Sequence, residues 1–498
     1  MTHVTSLWHL QKCLFSGLSE SFSISGRQII ETRVVTISRS ATFLRALRIC
    51  CVIALFTIIL EQPNSHGLVT TGNSPFGIEI NGANGSIEFD KAWQAGAHLV
   101  RLAGLWWPDV EPVEGKYNWS AMQWLESLFS AAVSRNMTVI LVVRGTPEWA
   151  QKYSGHACGP IRPDKLNAFA DFMAALVAKY GDGRYGIKYW ELGNEPDIDP
   201  KLVTPDSLTG CWGDDADEYY GGGAYARMLQ VVYPRIKEVN PTAQVLLGGL
   251  VLDCDPRPDG GCPDSERSRP PRFLEGVLRA GGGSFIDGVS FHSYDYYDGH
   301  IGRYSNSNWH SDSVSTGPVS LAKAAYIRSL FQKYGVKDKA LLNTESALLC
   351  SRCTNDSDYE STKALYAASV NAAALSADLS ANIWFRMADW PDTELLAHDM
   401  SAKPAYTAFS ASTRVLTGAA FERELTTAEL RNDGLRGAAF SRYGENLWLV
   451  RSIDGISHTL TLANTPRSVR DVFGQSIEIS GNTIGLNAPD RMFLYIIQ

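Results

Sequence analysis

The sequence predicts an α/β fold, a (β/α)8 TIM barrel followed by a small C-terminal antiparallel β-sandwich domain. Short β-branched apolar runs alternate eight times with longer stretches whose apolar residues recur every three or four positions, which is the order that builds a parallel sheet. After the eighth unit the pattern changes to short alternating runs separated by turn residues. A chain of 498 residues is long enough for a barrel and a companion domain.

Residues 1–66 differ from the rest of the chain. The apolar run ICCVIALFTIIL at 49–60 follows Arg45 and Arg48, which is typical of the h-region and n-region of a secretory signal peptide. A bilayer span needs about 20 apolar residues, and this run of 12 is short for that, which favours a signal peptide; an uncleaved membrane anchor is the alternative. We expect a leader with a signal peptide or anchor, and a secreted or extracytoplasmic protein that is membrane-anchored if the leader is kept.

The eight barrel strands are predicted from apolar, β-branched runs. They cover residues 76–81, 98–104, 137–144, 187–194, 244–251, 285–294, 340–346 and 381–387. Helical periodicity between them is clearest at 165–180, and the last barrel helix is predicted at 404–416, with Pro404 suited to its first turn. The barrel domain is therefore placed at 67–416.

The C-terminal segment 417–498 contains the alternating runs ENLWLVRSI, HTLTLA, SVRDVF and RMFLYII. Gly, Asn, Asp and Pro separate these runs, as expected for a small antiparallel β domain. No paired carboxylates or histidine cluster occur in this segment. We expect a structural domain packed against the barrel, and an independent sugar-binding module is the alternative.

Charge and motifs exclude several classes of partner. The net charge of −8 and the absence of a basic stripe argue against a nucleic-acid partner. The glycine runs at 221–223 and 281–283 lack the strand–loop–helix context of a phosphate-binding loop, and no G-x-S-x-G elbow occurs. No cofactor is predicted, and the oligomeric state stays open.

Six of the nine cysteines lie beyond the leader, and an even count in an exported protein indicates disulfides. The C-x-x-C spacing of one pair also suits zinc, but no second ligand pair accompanies it. Buried free thiols are the other alternative. Local pairing favours Cys254–Cys262 and Cys350–Cys353, which leaves Cys158–Cys211 by elimination, all in loops at the carboxyl ends of the strands.

Two predicted strands end in glutamates, at the barrel face where reactive groups of such folds lie. The fourth strand runs through Trp190-Glu191-Leu192-Gly193-Asn194-Glu195-Pro196 and delivers Asn194 and Glu195 to the rim. A helix-capping role for Glu195 is the alternative. The seventh strand ends in Asn343-Thr344-Glu345, and apolar strands seldom end in an unpaired Glu.

The two glutamates form the pair that glycosidic cleavage requires. One carboxylic acid protonates the leaving oxygen, and one carboxylate lies opposite the anomeric carbon. Strands four and seven face each other across a barrel mouth, so the carboxyl groups can approach to the roughly 5 Å of retaining enzymes. We therefore assign Glu195 as general acid/base and Glu345 as nucleophile, without a metal.

These motifs resemble glycoside hydrolase clan A, a group of retaining β/α-barrel enzymes. The resemblance covers about 76–416 and rests on N-E-P after strand four and Glu at the end of strand seven. Arg101, Trp107 with the turn Val110-Glu111-Pro112, and Phe291-His292-Ser293-Tyr294 also fit it. The closest resemblance is to family 39, which contains β-xylosidases and α-L-iduronidases, through Y-W-E-L-G-N-E-P-D and the following β domain.

The resemblance implies roles for further residues. Arg101 and Tyr294 would hold the nucleophile, Asn194 would bind the 2-hydroxyl of the sugar, and His292 would line the subsite. Trp107 is also assigned to the substrate-binding group, and Trp384 is either a stacking platform or barrel core. Arg386 pairs either with a substrate carboxylate or with Asp389, so the substrate charge stays open.

The predicted activity is retaining glycoside hydrolysis by double displacement on a plant- or microbe-derived oligosaccharide or polysaccharide. The long loops at 197–220, 252–271 and 295–317 suggest a walled pocket and favour exo action. Carbohydrate is the expected partner. Alternatives are an endo-glycanase or transglycosylase of the same clan, and a non-catalytic carbohydrate-binding barrel.

Overall fold

The computed structural model describes residues 74–204, 207–264, 269–314, 317–353, 356–390, 392–487 and 489–498. The predicted leader at 1–66 lies outside these residues, so its assignment as a signal peptide or anchor stays a prediction. Among the described helices, none combines the length and apolar character needed to span a bilayer.

Eight parallel strands close into a barrel within the described residues. The barrel strands are β1 (Phe76–Glu79), β2 (Leu99–Trp106), β3 (Thr138–Arg144), β4 (Tyr189–Asn194), β5 (Gln244–Leu250), β6 (Gly288–Tyr297), β9 (Ala340–Leu349) and β10 (Ala381–Trp384). Each pairs in parallel with its neighbours, and the pairings β5–β6 and β1–β10 complete the ring. The short strands β7 (Tyr304–Asn306) and β8 (Ser311–Asp312) extend β6 as antiparallel additions. The predicted TIM barrel is confirmed.

The helices alternate with the strands. They are α1 (Ser86–Gln94), α2 (Trp107–Val110), α3 (Gln123–Val133), α4 (Leu166–Tyr180), α5 (Gly222–Val239), α6 (Phe273–Arg279), α7 (Ser320–Tyr334), α8 (Ser357–Ser376), α9 (Pro404–Leu416) and α10 (Thr427–Leu430). The helix predicted at 165–180 is α4, which buries Phe169, Met173 and Val177. Their four-residue spacing places these three side chains on one face of the helix.

The barrel interior has an apolar floor beneath a charged layer. The floor contains Leu99, Ile140, Tyr189, Leu246, Leu342, Ala381 and Ile383. Side chains two residues apart on a strand share a face. Arg101 therefore lies above Leu99, and Glu191 lies above Tyr189, at the carboxyl end of the barrel. The two-residue period thus brings charged side chains into the mouth of an otherwise apolar core.

The C-terminal region forms the predicted antiparallel β domain. Its strands are β11 (Ala419–Glu424), β12 (Leu435–Arg442), β13 (Glu445–Ser452), β14 (His458–Thr461), β15 (Ser468–Arg470), β16 (Thr483–Leu486) and β17 (Phe493–Ile497). Five strands pair in the order β11-β12-β13-β17-β15, and β14 pairs with β16. Phe440, Leu447, Phe493 and Tyr495 belong to the same hydrophobic cluster as the barrel, so this domain packs directly on the barrel.

Some strand boundaries differ from the sequence-based prediction. The run SVRDVF is strand only through Arg470, because the Asp471 carboxylate accepts hydrogen bonds from the backbone N–H groups of Phe473 and Gln475 and forms a turn. The sixth barrel strand begins at Gly288, since Gly282–Phe285 forms a 3-10 turn.

The three predicted disulfides are confirmed. Cys158–Cys211 links the loop after β3 to the loop after β4, and Cys254–Cys262 lies in the loop after β5. Cys350–Cys353 directly follows β9. All three therefore restrain loops at the carboxyl end of the barrel.

Replacement of Phe493 tests the packing of the C-terminal domain. Phe493 is 2% exposed in the shared cluster, whereas Tyr443 on the same domain is 81% exposed. Phe493→Ala should lower the free energy of unfolding by about 3–5 kcal/mol, while Tyr443→Ala should change it by less than about 0.5 kcal/mol. Chemical denaturation measures both, and equal effects would contradict the packing described here.

The disulfides differ in the length of chain that they close. Cys158–Cys211 spans 53 residues and Cys350–Cys353 spans 3. Replacing Cys158 and Cys211 by Ser should cost about 2–5 kcal/mol, because the larger loop restricts the unfolded chain more. The double Ser variant of Cys350 and Cys353 is the control and should cost less. Thermal unfolding of both variants without reductant makes the comparison, and a larger loss in the control would refute it.

Candidate active site

A cavity of about 640 Å³ opens at the carboxyl ends of the barrel strands. Its polar wall includes Asn194, Glu195, Tyr294 and Glu345. Glu79, Asn81, Arg144, Thr209 and Arg386 also line the cavity, and its larger apolar side chains are Ile80, Leu102, Trp124, Leu125, Leu128, Leu208, Leu349, Phe385 and Trp390. An apolar pocket with a few convergent polar groups is the usual form of a small-molecule site.

Glu195 lies immediately after β4, where the backbone leaves the sheet. Gly193 has φ 98° and Glu195 has φ 53°, in the left-handed region that a Glu rarely adopts. The Glu195 backbone N–H donates to the Gly249 carbonyl at 2.8 Å, which holds this conformation. Backbone strain of this kind concentrates at functional sites. The Glu195 side chain is 17% exposed and faces the cavity.

Glu345 enters the same cavity from β9, and its side chain is 8% exposed. One carboxylate oxygen of Glu195 and one of Glu345 lie within 4.8 Å of each other, and both lie within that distance of a ring nitrogen of His292. The structure therefore brings together the two glutamates that the sequence singled out, although 150 positions separate them in the chain.

Arg101 is the hub of the charged layer. It is fully buried on β2 and donates to Glu345 Oε1 at 2.5 Å, Glu79 Oε2 at 2.5 Å and Glu191 Oε1 at 2.8 Å. A fourth bond goes to Asn194 Oδ1 at 2.7 Å. Since that bond occupies the amide oxygen, the Nδ2 donors of Asn194 remain for a ligand in the cavity.

The pKa values of Arg101 and Glu79 depend on their burial and on the charges around them. Burial alone would lower the pKa of Arg101, but the carboxylates of Glu191, Glu345 and Glu79 hold it well above its usual range. Burial also raises the pKa of Glu79, and Arg101 offsets only part of that shift. The guanidinium of Arg101 thus remains charged beside the carboxyl group of Glu345.

Tyr294 and His292 complete the contacts of the glutamate pair. Tyr294 on β6 donates its hydroxyl hydrogen bond to Glu345 Oε2. His292 Nδ1 lies 3.0 Å from Glu195 Oε1 and 3.3 Å from Glu345 Oε2. Nδ1 is thus the ring nitrogen that faces both carboxyl groups. Burial by itself would lower the pKa of His292, but Glu345 and Glu195 outweigh it and raise that pKa above its usual value.

His292 packs against the backbone of Gly249 on β5. A Cβ atom at position 249 would lie 2.1 Å from His292 Nε2 and 3.0 Å from Glu191 Oε1. Such contacts are shorter than real Cβ atoms allow, so only Gly leaves room for the ring. This requirement is invisible in the run of apolar residues that predicts β5.

Glu195, His292 and Glu345 also carry the ligand types that bind divalent metals. Metal binding by His requires a neutral ring with a bare nitrogen directed at the ion. Here the nitrogen facing the carboxylates is Nδ1, and the same carboxylates raise the pKa of the ring. The arrangement therefore favours a hydrogen-bonded triad of protein groups.

Two tryptophans assigned to the substrate-binding group do not reach the cavity, which corrects that assignment. Trp384 is fully buried; its Nε1 donates to the Thr393 carbonyl and its ring packs against Tyr366. Trp107 is fully buried on α2, bonds Glu111 Oε2 at 2.7 Å and packs against Phe172. Trp384 is barrel core, the other role considered for it.

Trp124, Trp390 and Arg144 are among the cavity residues that the sequence-based prediction missed. Trp124 and Trp390 are 49% and 47% exposed at the cavity, and Arg144 lines it from the end of β3. The positions of Arg144 and Trp390 in the sequence could have indicated that they reach the cavity. Arg144 ends the third barrel strand, and Trp390 lies in the loop after the eighth. Trp124 gave no such signal, since it lies within the amphipathic helix α3.

The fold is similar to solved structures of glycoside hydrolases. A family 39 glycoside hydrolase from the gut symbiont Bacteroides cellulosilyticus WH2 aligns with a TM-score of 0.63 at 20% identity, over 85% of this chain and 80% of that one. A family 30 subfamily 8 xylanase from Clostridium acetobutylicum gives 0.57 at 12% identity, over 85% and 95%.

A monomeric β-xylosidase from Caulobacter crescentus gives a TM-score of 0.53 at 16% identity, over 85% of this chain and 95% of that one. No protein-family model matches the sequence, and no curated protein matches it significantly. The predicted resemblance to clan A and family 39 is thus confirmed for the fold.

The histidine between the glutamates should titrate above the ordinary range of about 6.5. Because its pKa is raised by folding, its contribution to stability is complete below about pH 6.5 and is lost as the pH rises through the folded-state value. The wild type should therefore exceed His292→Gln in free energy of unfolding by a smaller amount as the pH rises. Urea denaturation across the pH range measures this difference.

Nuclear magnetic resonance titration of His292 provides a direct readout. Glu345→Gln and Glu195→Gln should each lower its pKa, because each removes a carboxylate that favours the charged ring. The surface variant His156→Gln is the matched control. A His292 pKa that does not respond to either glutamine variant would show that the carboxylates do not set it.

Proposed function

We propose that this protein is a retaining glycoside hydrolase with Glu345 as nucleophile and Glu195 as general acid/base. The observation that carries the proposal is the approach of the two carboxylates to within 4.8 Å in one cavity. Retaining enzymes hold this pair about 5–5.5 Å apart, whereas inverting enzymes need about 6.5–9.5 Å to admit a water molecule.

In the first step, the carboxylate of Glu345 attacks the anomeric carbon while Glu195 protonates the departing glycosidic oxygen. The bond to the leaving group breaks, and a covalent glycosyl ester forms on Glu345. The contacts support these roles, because Arg101 and Tyr294 both donate hydrogen bonds to the carboxyl group of Glu345 and hold it in place. Glu195 is the more exposed partner, as a group that meets both leaving group and water must be.

In the second step, Glu195 acts as base and takes a proton from water. The water oxygen attacks the anomeric carbon, the ester bond to Glu345 breaks, and Glu345 returns as carboxylate. Two inversions give net retention. Arg101, His292 and Tyr294 position the pair, because they contact its carboxylates, and the free Nδ2 donors of Asn194 can bind a sugar hydroxyl.

The substrate is proposed to be a plant- or microbe-derived oligosaccharide or polysaccharide that is cleaved from its end. The cavity is walled on several sides by Leu208 and Thr209 from the loop after β4, by Leu349 at the end of β9 and by Trp390 after β10. This enclosure favours a pocket over an open cleft. Trp124 and Trp390 offer exposed rings for stacking on sugar faces. The solved structures of a xylanase and a β-xylosidase with the same fold support a carbohydrate substrate.

We also propose an extracytoplasmic location. Three disulfides support it, because such bonds persist in oxidising compartments. Detection of the mature protein outside the cytoplasm, with its N-terminus downstream of the apolar run at 49–60, tests this assignment.

Removal of the nucleophile provides the first test. Glu345→Gly should lower kcat on aryl glycosides by several orders of magnitude, and added azide should partly restore turnover as a glycosyl azide of inverted configuration. The exposed Glu148→Ala is the matched control and should retain activity. Proton NMR of the first-formed wild-type product should show retention, and an inverted product would exclude Glu345 as nucleophile.

Removal of the acid/base gives a different signature. Glu195→Ala should lower kcat/KM by about 10²–10⁴-fold for substrates with poor leaving groups and much less for activated ones. Azide should then give the glycosyl azide of retained configuration. Product analysis with an added acceptor sugar distinguishes hydrolysis from transglycosylation, and wild-type rates on all substrates would show that Glu195 is wrongly assigned.

A further inference from the structure

Two buried charged residues lie behind Glu195, outside the cavity. Asp197 is 1% exposed and Lys323 is 4% exposed, and neither belongs to the cavity wall. Removing a carboxylate or an ammonium group from water is costly, so such residues are rarely buried unless their polar atoms are bonded. The hydrogen bonds of both residues converge on the two groups that contact Glu195, which are the end of β5 and His292.

Asp197 anchors the backbone that carries Glu195. Its Oδ1 accepts a hydrogen bond from the Val251 N–H at 3.0 Å, and its Oδ2 accepts one from the Leu252 N–H at 2.9 Å. The N–H of Glu195 itself donates to the Gly249 carbonyl at 2.8 Å. The chain is therefore bonded to the end of β5 both at Glu195 and two residues later. These bonds fix a glutamate whose φ of 53° is unfavourable for a residue with a side chain.

Lys323 on α7 joins the same end of β5 to His292. Its ammonium group donates to the Val251 carbonyl at 2.6 Å and to the His292 carbonyl at 2.8 Å. The pairing of β5 with β6 ends at Leu250 and Phe291, directly before these two carbonyls. The lysine thus extends the connection between the two strands beyond their last paired residues.

These contacts form a closed ring that includes the proposed acid/base. His292 Nδ1 lies 3.0 Å from Glu195 Oε1, and the carbonyl of the same histidine is bonded to Lys323. Lys323 is bonded to Val251, whose N–H is bonded to Asp197. Asp197 is two residues from Glu195 in the chain, which closes the ring. One connected set of residues therefore holds both the backbone and the side chain of the glutamate.

The two buried residues carry opposite charges. Burial lowers the pKa of Lys323 to about 8, although the carboxylates of Asp197, Asp253, Asp295 and Glu195 act in the opposite direction. Burial raises the pKa of Asp197 to about 7, and its two backbone N–H donors offset part of that shift. Removing Lys323 makes the region around Glu195 more negative, whereas removing the Asp197 carboxylate makes it less negative. The two side chains thus have opposite electrostatic effects on Glu195, although both hold it in place.

We infer that Asp197 and Lys323 are positioning residues that hold the carboxyl group of Glu195 towards the glycosidic oxygen. This inference rests on the proposed function and adds two residues to its machinery. Neither side chain reaches the cavity, so both act through Glu195 and His292. Displacement of a catalytic group by about 1 Å can cost about 100-fold in rate. For a general acid, the loss falls on substrates whose leaving group needs the proton.

The dependence of the rate on the leaving group tests this inference. Aryl glycosides of one sugar, with phenol, 4-nitrophenol and 2,4-dinitrophenol as leaving groups, need decreasing assistance from the acid. Asp197→Asn and Lys323→Met should each lower kcat/KM about 10- to 100-fold for the phenyl glycoside and less than about 3-fold for the dinitrophenyl glycoside. Equal losses on all three substrates would show a merely structural role and overturn the inference.

Two matched variants remove contacts of the same kinds far from Glu195. Asp471 is a buried aspartate of the C-terminal domain that accepts from the backbone N–H groups of Phe473 and Gln475. Lys339 donates to the Ile286 carbonyl at 2.7 Å, at the amino end of β9. Asp471→Asn and Lys339→Met should show no dependence on the leaving group. The same dependence in these controls as in the Asp197 and Lys323 variants would contradict a specific role for the pair.

Titration of His292 by nuclear magnetic resonance needs no turnover and so separates this inference from the proposed function. Asp197→Asn and Lys323→Met should both lower the pKa of that histidine, because both let Glu195 move away from the ring. A charge effect alone would raise this pKa in Lys323→Met. In a Glu195→Gln background, neither substitution should lower it further.

The two experiments fail in different ways. A His292 pKa that is unchanged in both variants, that rises in Lys323→Met, or that falls equally in the Glu195→Gln background overturns the inference and leaves the glycosidase proposal intact. Lowered values that depend on Glu195, in a protein that hydrolyses no aryl glycoside, would instead refute the proposed function and support the positioning of Glu195 by the pair.

Discussion

The contacts of Arg101 are the constraint on which the site depends. One fully buried guanidinium bonds Glu79 on β1, Glu191 and Asn194 on β4, and Glu345 on β9. The bond to Glu79 joins the neighbouring strands β1 and β2, whereas the bonds to β4 and β9 run across the barrel mouth. A buried charge is tolerated only when its partners are in place, and each carboxylate depends equally on the cation. Closure of the barrel and placement of Glu345, the proposed nucleophile, therefore depend on the same contacts.

The site combines rigid strands with loops that are restrained by covalent bonds. Glu345 and Arg101 are strand residues above an apolar floor, and sites built on strands are held more closely than sites on loops. The walls come from loops, and Cys158–Cys211 ties together the two loops after β3 and β4. Leu208 and Thr209, which precede Cys211, thereby become part of a defined cavity wall. Chemistry and substrate enclosure thus rest on separate parts of the fold.

The two glutamates of the cavity also differ in their polar partners. The carboxylate of Glu345 receives donors from Arg101 and Tyr294, whereas the nearest polar partner of Glu195 is His292. This asymmetry suits a nucleophile that must be ionised and an acid that must exchange a proton. Arg144 and Arg386 line the cavity outside this arrangement. Glu79 Oε1 lies 3.7 Å from the guanidinium of Arg386, so the cavity wall carries charges of both signs.

By itself, the sequence determined the barrel, the C-terminal β domain and the positions of Glu195 and Glu345. Apolar β-branched runs bounded by turn residues predict buried strands. A carboxylate at the end of such a run indicates a functional residue, because apolar strands seldom end in an unpaired Glu. Only the tertiary structure decided which aromatic and basic side chains reach the cavity. Ala381 and Ile383 point into the barrel floor, so Trp384, one residue on, faces the helices and packs on Tyr366. A single step along a strand reverses the face, and local sequence does not reveal which face lies inside the barrel, nor that Gly249 must make room for His292.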